Sequence, residues 1–462
     1  MTHRIVVTLA LALGFGLVQA EEAAQAPAAA VSSEATDSAR QTLLAEIAKV
    51  EEPAMLTQLV ARFRQQGDLE AELAALDRRI ALRPHMGAYR LDKVVTLARE
   101  DRKSEAYTLL IDLQNTGYAY DLRGDERFAN IATTQVWDYI VDNFDANRAP
   151  YGEGTVLHTL PREDLLIESV GWDASRKQLL VGGAREGKVY RVEKDGKLVP
   201  LVSADADNGM WAVLDFVVDA KRGFLWVASS AVPHFKGYKP GVDVGRAGIF
   251  KFDLKTGKFI RSFLSPEGQG NIFMLASLAL GVDGEIYALD IINSALYQVR
   301  DDQFRRLVHA PAFPAMRALT VSGDGKNLYL ADYERGIVGI ELATLKAFDV
   351  RVPTKLSLQG IEALFWFEGS LVAVQSGMTP PRVMRFGLSD DGSTITGVTP
   401  VEASNPAFAK VGKAAMDGSS IYVVGNSQLD NYDRFGLVRN KDQLEGTRII
   451  RIDADYVPPQ AQ

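Results

Sequence analysis

The feature that most constrains the fold is a strand–turn–strand pattern that recurs six times in the C-terminal two thirds of the chain. Each unit has an apolar run, a tight turn that usually bears Asp or Gly, and a second apolar run. The units are IESVGWDASRKQLLVGG, LDFVVDAKRGFLWVASS, LASLALGVDGEIYALD, RALTVSGDGKNLYLADY, IEALFWFEGSLVAVQSG and KVGKAAMDGSSIYVVGNS. They recur about every 40 to 60 residues, a period typical of propeller blades. The sequence therefore predicts a six-bladed β-propeller over residues 154–455.

A propeller must close into a ring, because an open edge strand invites aggregation. The strand-like stretch GTVLHTLP, residues 154–161, precedes the first unit and has no sheet of its own. We expect it to pair with the strand that ends near Asp453, as the outer strand of the last blade.

The region before the propeller, residues 38–148, has helical spacing. Leu43, Leu44, Ile47 and Val50 fall on one helix face. The stretch AYRLDKVVTLAREDRKSEAYTLL resembles tetratricopeptide repeats over about one and a half repeats. The resemblance implies a tetratricopeptide-like domain that docks a partner, and packing against the propeller alone is the equally open alternative.

The first residues are predicted to be an export signal. His3 and Arg4 precede the apolar run IVVTLALALGFGL, and VQA supplies small residues before a cut after Ala20. A membrane anchor is the alternative, but the run is short. Residues 21–37 are predicted to be a disordered linker. We expect a periplasmic or secreted protein of a Gram-negative bacterium, with no membrane span after signal removal.

Composition excludes several classes of site. The chain of 462 residues has no cysteine, so disulfides, thiolate zinc sites and a cysteine nucleophile are ruled out. Its net charge of -8 and pI of about 5.4 argue against a nucleic-acid partner. The expected partner is instead a small polar ligand or another protein.

The first unit carries a resemblance to a known family. IESVGWDASRKQLLVGGAREGKVYRVEKDGKL resembles the first blade of the gluconolactonase, regucalcin and strictosidine-synthase-like propellers, and GKNLYLADYERGIVGIEL is similar to their later blades and to NHL-type blades. The resemblance covers residues 154–455. It implies that Glu168 binds a divalent cation, calcium or another, which polarises a lactone or ester carbonyl. The family's asparagine ligands have no clear match, since neither Asn271 nor Asn293 lies in a comparable motif.

Aligning the six units predicts a ligand site at one mouth of the central channel. The residues expected there are Glu168, Asp215, Arg317, Glu362 and Lys413. Asp290 and Asp332 end two second strands and Asn426 lies on a long loop after another, and Asp332 and Asn426 are expected to bind ligand on the same face, where long loops collect. His234 and Asp290 are the candidate catalytic residues.

Two functions remain open at this point. The leading hypothesis is an exported protein that binds a small polar ligand or a protein partner at the channel mouth, with the helical domain as a docking module. The alternative is a divalent-metal-dependent hydrolase of lactones or related esters. Because Arg317 and Lys413 are available as counter-charges, we expect them, and not a metal ion, to neutralise Glu168. On that expectation, Glu168→Gln lowers stability.

Overall fold

The computed structural model describes residues 33–266, 272–353 and 355–457. The predicted signal peptide lies outside these residues, as do most of the predicted linker and Asn271. Helix α1 begins at Ser33, inside the predicted linker, so the helical region starts earlier than expected. The six helices are α1 (Ser33–Lys49), α2 (Pro53–Gln66), α3 (Leu69–Leu82), α4 (Gly87–Arg99), α5 (Lys103–Asn115) and α6 (Gln135–Asn147).

The helix boundaries follow from local chemistry. Helix α2 begins with Pro53, whose missing N–H costs nothing in the first turn, and ends at Gly67 in the left-handed conformation, φ 71°. Asp68 then caps α3 by accepting a hydrogen bond from the Ala71 N–H at 3.2 Å. The helices are thus confirmed, but their tetratricopeptide-like arrangement is not.

The remainder of the described chain is a six-bladed β-propeller, as predicted. Strand β1 (Thr155–Thr159) precedes the first blade. Blade 1 contains β2 (Ile167–Asp173), β3 (Gln178–Gly183), β4 (Lys188–Val192) and β5 (Leu198–Ser203); blade 2 contains β6 (Ala212–Asp219), β7 (Phe224–Ser230), β8 (Ala247–Asp253) and β9 (Phe259–Leu264). Blade 3 contains β10 (Leu275–Leu280), β11 (Ile286–Asp290), β12 (Ala295–Arg300) and β13 (Gln303–His309).

The last three blades repeat the same antiparallel plan. Blade 4 contains β14 (Met316–Val321), β15 (Asn327–Asp332), β16 (Gly336–Glu341) and β17 (Lys346–Asp349). Blade 5 contains β18 (Ile361–Phe367), β19 (Ser370–Gln375), β20 (Arg382–Leu388) and β21 (Ile395–Ala403). Blade 6 contains β22 (Ala414–Asp417), β23 (Ser420–Val424) and β24 (Arg448–Asp453). We call the face on which the inner strands β2, β6, β10, β14, β18 and β22 begin the upper face.

Blade 6 takes its fourth strand from the start of the propeller. Strand β1 pairs antiparallel with β24, with Thr155 opposite Arg451 and Thr159 opposite Arg448. The prediction that residues 154–161 close the last blade is therefore confirmed. Closure joins two segments almost 300 residues apart in sequence, so the ring is complete only when the whole propeller has folded.

Asp-Gly dipeptides turn the inner hairpins of three blades. Gly284, Gly325 and Gly418 have φ values of 93°, 71° and 57°, which residues with a Cβ rarely adopt. The sequence signal and the backbone conformation agree at these turns because a tight hairpin demands positive φ locally, whatever its tertiary surroundings.

The helical region docks on the upper face of blades 4 and 5. Arg83 pairs with Glu334 at 2.7 Å. The buried hydroxyl of Tyr118 lies 2.6 Å from Gln359 Oε1 and accepts a hydrogen bond from the Gly87 N–H at 3.1 Å. Buried Arg382 donates to the carbonyl oxygens of Thr116 and Ser357. In the described residues, no helix is long and apolar enough to cross a membrane.

Tyr118→Phe should weaken this docking. The change removes the buried hydroxyl group that bonds Gln359 Oε1 and the His85 carbonyl, while the Gly87 N–H keeps Gln359 Oε1 as its acceptor, so we expect a loss of about 1 to 2 kcal/mol in the free energy of unfolding. Denaturant unfolding and limited proteolysis between the two regions measure it. Tyr139→Phe is the matched control, because Tyr139 is 64% exposed and should change nothing. Equal stability of the two variants would contradict the proposed importance of this contact.

Candidate functional site

Each inner strand begins with a β-bulge at the same position. The register between inner and second strand skips one residue in blades 1 to 5, and the skipped residues are Glu168, Leu214, Ala276, Arg317 and Glu362. In blade 6 the Gly412 N–H and the Lys413 carbonyl both bond to Val424, which places Lys413 at the equivalent position. A bulge redirects the extra side chain and releases it from the sheet. These six residues therefore form one ring at the upper mouth of the channel.

Lys413 crosses the channel. Its ammonium group donates to Ser277 Oγ of blade 3 and, at 3.0 Å, to the carbonyl oxygen of Arg317 in blade 4. Blade 3 lies opposite blade 6 in a ring of six, so the lysine side chain spans the channel from one wall to the other. Lys413 therefore ties blade 6 to blades 3 and 4 across the channel.

Glu168 sits on the upper side of this crossing. The Ser427 hydroxyl from the blade 6 loop donates to Glu168 Oε1 at 2.8 Å. The pKa of Glu168 is raised to about 7, chiefly by burial among protein groups and also by the carboxylate of Glu362, while the Ser427 hydrogen bond and the charge of Lys410 oppose the rise. The carboxyl group therefore exchanges its proton close to neutral pH.

Asp215 and Glu362 complete the acidic part of the site. The two carboxylate oxygens of Asp215 accept hydrogen bonds from the Phe216 and Leu278 N–H groups, each at 2.9 Å. Burial raises the pKa of Asp215, and the charge of Lys413 opposes that rise. Within the described chain, Glu362 makes no hydrogen bond or ion pair and remains available to a ligand.

The expected ring of salt bridges does not form. Among the described residues, no ion pair joins Arg317 or Lys413 to Glu168. The Arg317 side chain is exposed and its guanidinium lies over the ring of Tyr333, 5.8 Å from the centroid. The ammonium group of Lys413 donates hydrogen bonds to neutral oxygens, and its charge opposes the rise in the pKa of Asp215 without a direct ion pair in the described chain. The counter-charge hypothesis is thus wrong for Glu168, whose nearest partner is a hydroxyl group.

Three predicted ligand-binding or catalytic residues have a structural role instead. Asp290 and Asp332 are fully buried, and their carboxylates accept backbone N–H groups of the turns that follow, including those of Ile292 at 3.1 Å and Glu334 at 3.0 Å. Asn426 is also buried and accepts from the Arg448 N–H at 2.7 Å. Their polar atoms cap the ends of the second strands and do not face the channel mouth.

A loop from blade 6 covers the mouth on the side of blades 1 and 2, and sequence reasoning missed the residue that fastens it. Arg185 pairs with Asp164 at 2.7 Å and donates to the carbonyl oxygens of His234 and Gly436 at 2.6 and 2.9 Å. Tyr432 lies against its guanidinium at 5.2 Å. These contacts join segments far apart in sequence, so no local motif marks Arg185. His234 is half-buried beneath the loop, and its burial lowers its pKa.

The lower end of the channel opens into a cavity of about 680 Å³. Its walls are the lower halves of all six inner strands, with Trp172, Phe216 and Trp366 among the lining side chains. Asp215 also lines this cavity, so the acidic site extends to its wall.

The donor set at the upper mouth does not fit a divalent cation. Within the described residues, no three His, Cys, Asp or Glu side chains gather in a way that could hold a metal ion. The Asp215 oxygens already accept N–H groups, and the ammonium group of Lys413 occupies the channel. A second cation would be repelled there. The metal role that the resemblance implied for Glu168 is not supported by this arrangement.

Comparison with known proteins finds only distant structural likenesses. No protein-family model matches the chain, and no curated protein matches it in sequence. It is similar to the PQQ-bound aldose sugar dehydrogenase of Streptomyces coelicolor, with 15% identity over 66% of this chain and 99% of that chain and a TM-score of 0.44. It is similar to a gluconolactonase of Xanthomonas campestris (12%, 65% and 89%, TM-score 0.43) and to a luciferin-regenerating enzyme (14%, 66% and 95%, TM-score 0.44). At these values the likeness carries no argument about function.

Glu168→Gln should stabilise the protein at neutral and alkaline pH, contrary to the loss expected from the sequence. The unfolded carboxyl group ionises near its ordinary pKa of 4.5, whereas the folded one ionises at about 7. Wild-type stability therefore falls as pH rises between these values. The amide avoids that cost, so we expect a gain of about 1 to 3 kcal/mol at pH 8, after allowance for partial solvation, and little difference at pH 4. Thermal unfolding across this pH range measures it; a gain independent of pH would contradict the assignment.

Lys413→Met should destabilise the propeller. The change removes the ammonium donor from Ser277 Oγ and from the Arg317 carbonyl, which keeps the Ser277 hydroxyl as a donor, and it removes the positive charge that favours ionised Asp215. We expect a loss of about 1 to 3 kcal/mol. Lys410→Met is the matched control, because Lys410 pairs with exposed Asp430 and should cost less than about 1 kcal/mol. Similar losses of stability in both variants would contradict a specific contribution of the Lys413 hydrogen bonds to stability.

Proposed function

We propose that the protein hydrolyses a small lactone or related ester at the upper mouth, with Glu168 as the general base. The observation that carries this proposal is a carboxyl group placed by a bulge at the channel mouth, with a pKa of about 7. A general base is most effective when its pKa lies near the working pH, because its ionised form is then both abundant and basic. The Ser427 hydroxyl, 2.8 Å away, fixes the orientation of the carboxylate.

Lys413 supplies the positive charge that such a reaction needs. Attack of water on an ester carbonyl places negative charge on the carbonyl oxygen, and a fixed donor stabilises that charge. An ammonium group has three N–H donors. Within the described residues, Lys413 uses two of them, on Ser277 and on the Arg317 carbonyl, so the third is available to a substrate oxygen. In this proposal Glu168 takes a proton from the attacking water and Lys413 stabilises the oxyanion of the tetrahedral intermediate. Glu168 then returns the proton to the alkoxide oxygen as the ester C–O bond breaks, without a metal ion.

A second candidate function is ligand binding without turnover. It is favoured by the engagement of Asp215 and Lys413 with the protein's own groups, which makes the mouth rigid and complementary to one ligand. In both proposals the helical region supports the propeller near Arg317. Met378 of blade 5 packs in the helical core, and the backbone of the preceding glycine lies against Tyr333, the ring that Arg317 covers. Export to the periplasm, and binding of a protein partner by the helical region, remain proposals as well.

Hydrolysis of a panel of lactones and esters by the purified protein, followed with a pH indicator, tests the leading proposal. We expect kcat/KM to rise with pH through about 7, as Glu168 loses its proton. Glu168→Gln should lower it by about 10²-fold or more. Glu163→Gln is the matched control, because Glu163 is exposed on the segment that precedes β2. Treatment with a chelator should leave the activity unchanged.

Each other outcome has a definite meaning. Ligand binding that depends on Glu168, without turnover of any compound, would replace the leading proposal with the second candidate. Activity that disappears with the chelator and returns with calcium would overturn the metal-free mechanism.

A further inference from the structure

We infer that the upper mouth recognises an anionic group on its ligand, a carboxylate or a phosphate, through the guanidinium of Arg317. This inference deepens the proposed function and rests on it for the choice of the upper mouth as the ligand site. It narrows the expected substrates to acidic lactones or esters.

Arg317 is a cation placed at the mouth without a carboxylate of its own. It occupies the bulge position of blade 4, and its side chain is exposed. Its guanidinium lies over the Tyr333 ring, and no carboxylate of the described chain pairs with it. An aromatic face holds the plane of an arginine while leaving the N–H groups free to bind.

The acidic residues on both sides of Tyr333 are already engaged. Asp332 is buried and accepts backbone N–H groups, including those of Ala315 and Arg335, each at 2.9 Å. Glu334 pairs with Arg83 of the helical region. Neither carboxylate is therefore available to Arg317, and the pairing of Glu334 with Arg83 depends on docking of the helical region.

The position of Arg317 suits a ligand that spans the mouth. Blade 4 lies opposite blade 1, so Arg317 faces Glu168 across the ring of bulge residues. Lys413 ends on the carbonyl oxygen of Arg317, which adds a second positive charge on that side. A ligand with its reacting carbonyl between Glu168 and Lys413 would present its far end to Arg317. The planar fork of a guanidinium binds two oxygens of a carboxylate or phosphate at once.

A role in folding alone does not account for these contacts. An arginine that served to neutralise the carboxylates of the mouth would pair with Glu168, Asp215 or Glu362, and in the described structure it pairs with none of them. Because its side chain is exposed, its replacement should leave the fold intact. Binding can therefore be measured in variants of the full chain.

Isothermal titration at low ionic strength with D-gluconate, inorganic phosphate and uncharged D-glucitol tests the inference. Wild type should bind gluconate about tenfold or more tightly than glucitol, and it should bind phosphate. Arg317→Gln should abolish both the preference and phosphate binding. Arg317→Lys keeps the positive charge but lacks the planar guanidinium that binds two oxygens, so its preference for gluconate over glucitol should lie between those of wild type and Arg317→Gln. Arg261→Gln is the matched control, since Arg261 also lies over an aromatic ring, that of Phe263, but on an outer strand.

The results separate this inference from the proposed function. Glu168→Gln should bind gluconate with the same preference although it lacks hydrolytic activity. Anion binding that depends on Arg317, in a protein that hydrolyses nothing, would overturn the proposed hydrolase and support the anion site. Equal affinity for gluconate and glucitol, an unchanged preference in Arg317→Gln, or no binding of either anion to wild type would overturn the anion site.

Discussion

Around the axis of the propeller, the six inner strands share one irregularity, an extra residue at the point where each strand begins. A regular strand would direct these side chains alternately into the two faces of its blade, where neighbouring blades pack. The bulge releases them toward the channel instead. This constraint places four charged residues at the same height along the channel, namely Glu168, Arg317, Glu362 and Lys413. Leu214 and Ala276 occupy the same level, so the bulge positions of blades 2 and 3 are apolar and the charged bulge residues lie on the other four blades.

The fold could be predicted because its signals are local and repeated. The residues that form an alternating apolar strand or an Asp-Gly turn lie within a few positions of one another in the sequence. Six copies of the same strand–turn–strand pattern are typical of a propeller and of few other folds. The repeats also allowed the ring of bulge residues to be aligned, although a bulge itself has no visible signature. Strand β1 could be assigned because it was the one strand left without a sheet.

The partners of the charged residues could not be predicted, because they depend on distances across the ring. Lys413 reaches Ser277 in the opposite blade, so it does not pair with the carboxylates beside it. Asp290 and Asp332 were assigned to the site because they end apolar strands, but buried turns require acceptors for their N–H groups. An aspartate that ends a strand just before a tight turn is better interpreted as a cap than as a ligand.

The channel crossing also connects the charges of the mouth with the cavity below it. The ammonium group of Lys413 joins blade 6 to blades 3 and 4 across the channel. Its charge opposes the rise in the pKa of Asp215, and Asp215 lines the cavity of about 680 Å³ at the lower end. Because one lysine contacts the upper ring and acts on a carboxylate of the lower cavity, a change at Lys413 alters the electrostatics of both ends of the channel.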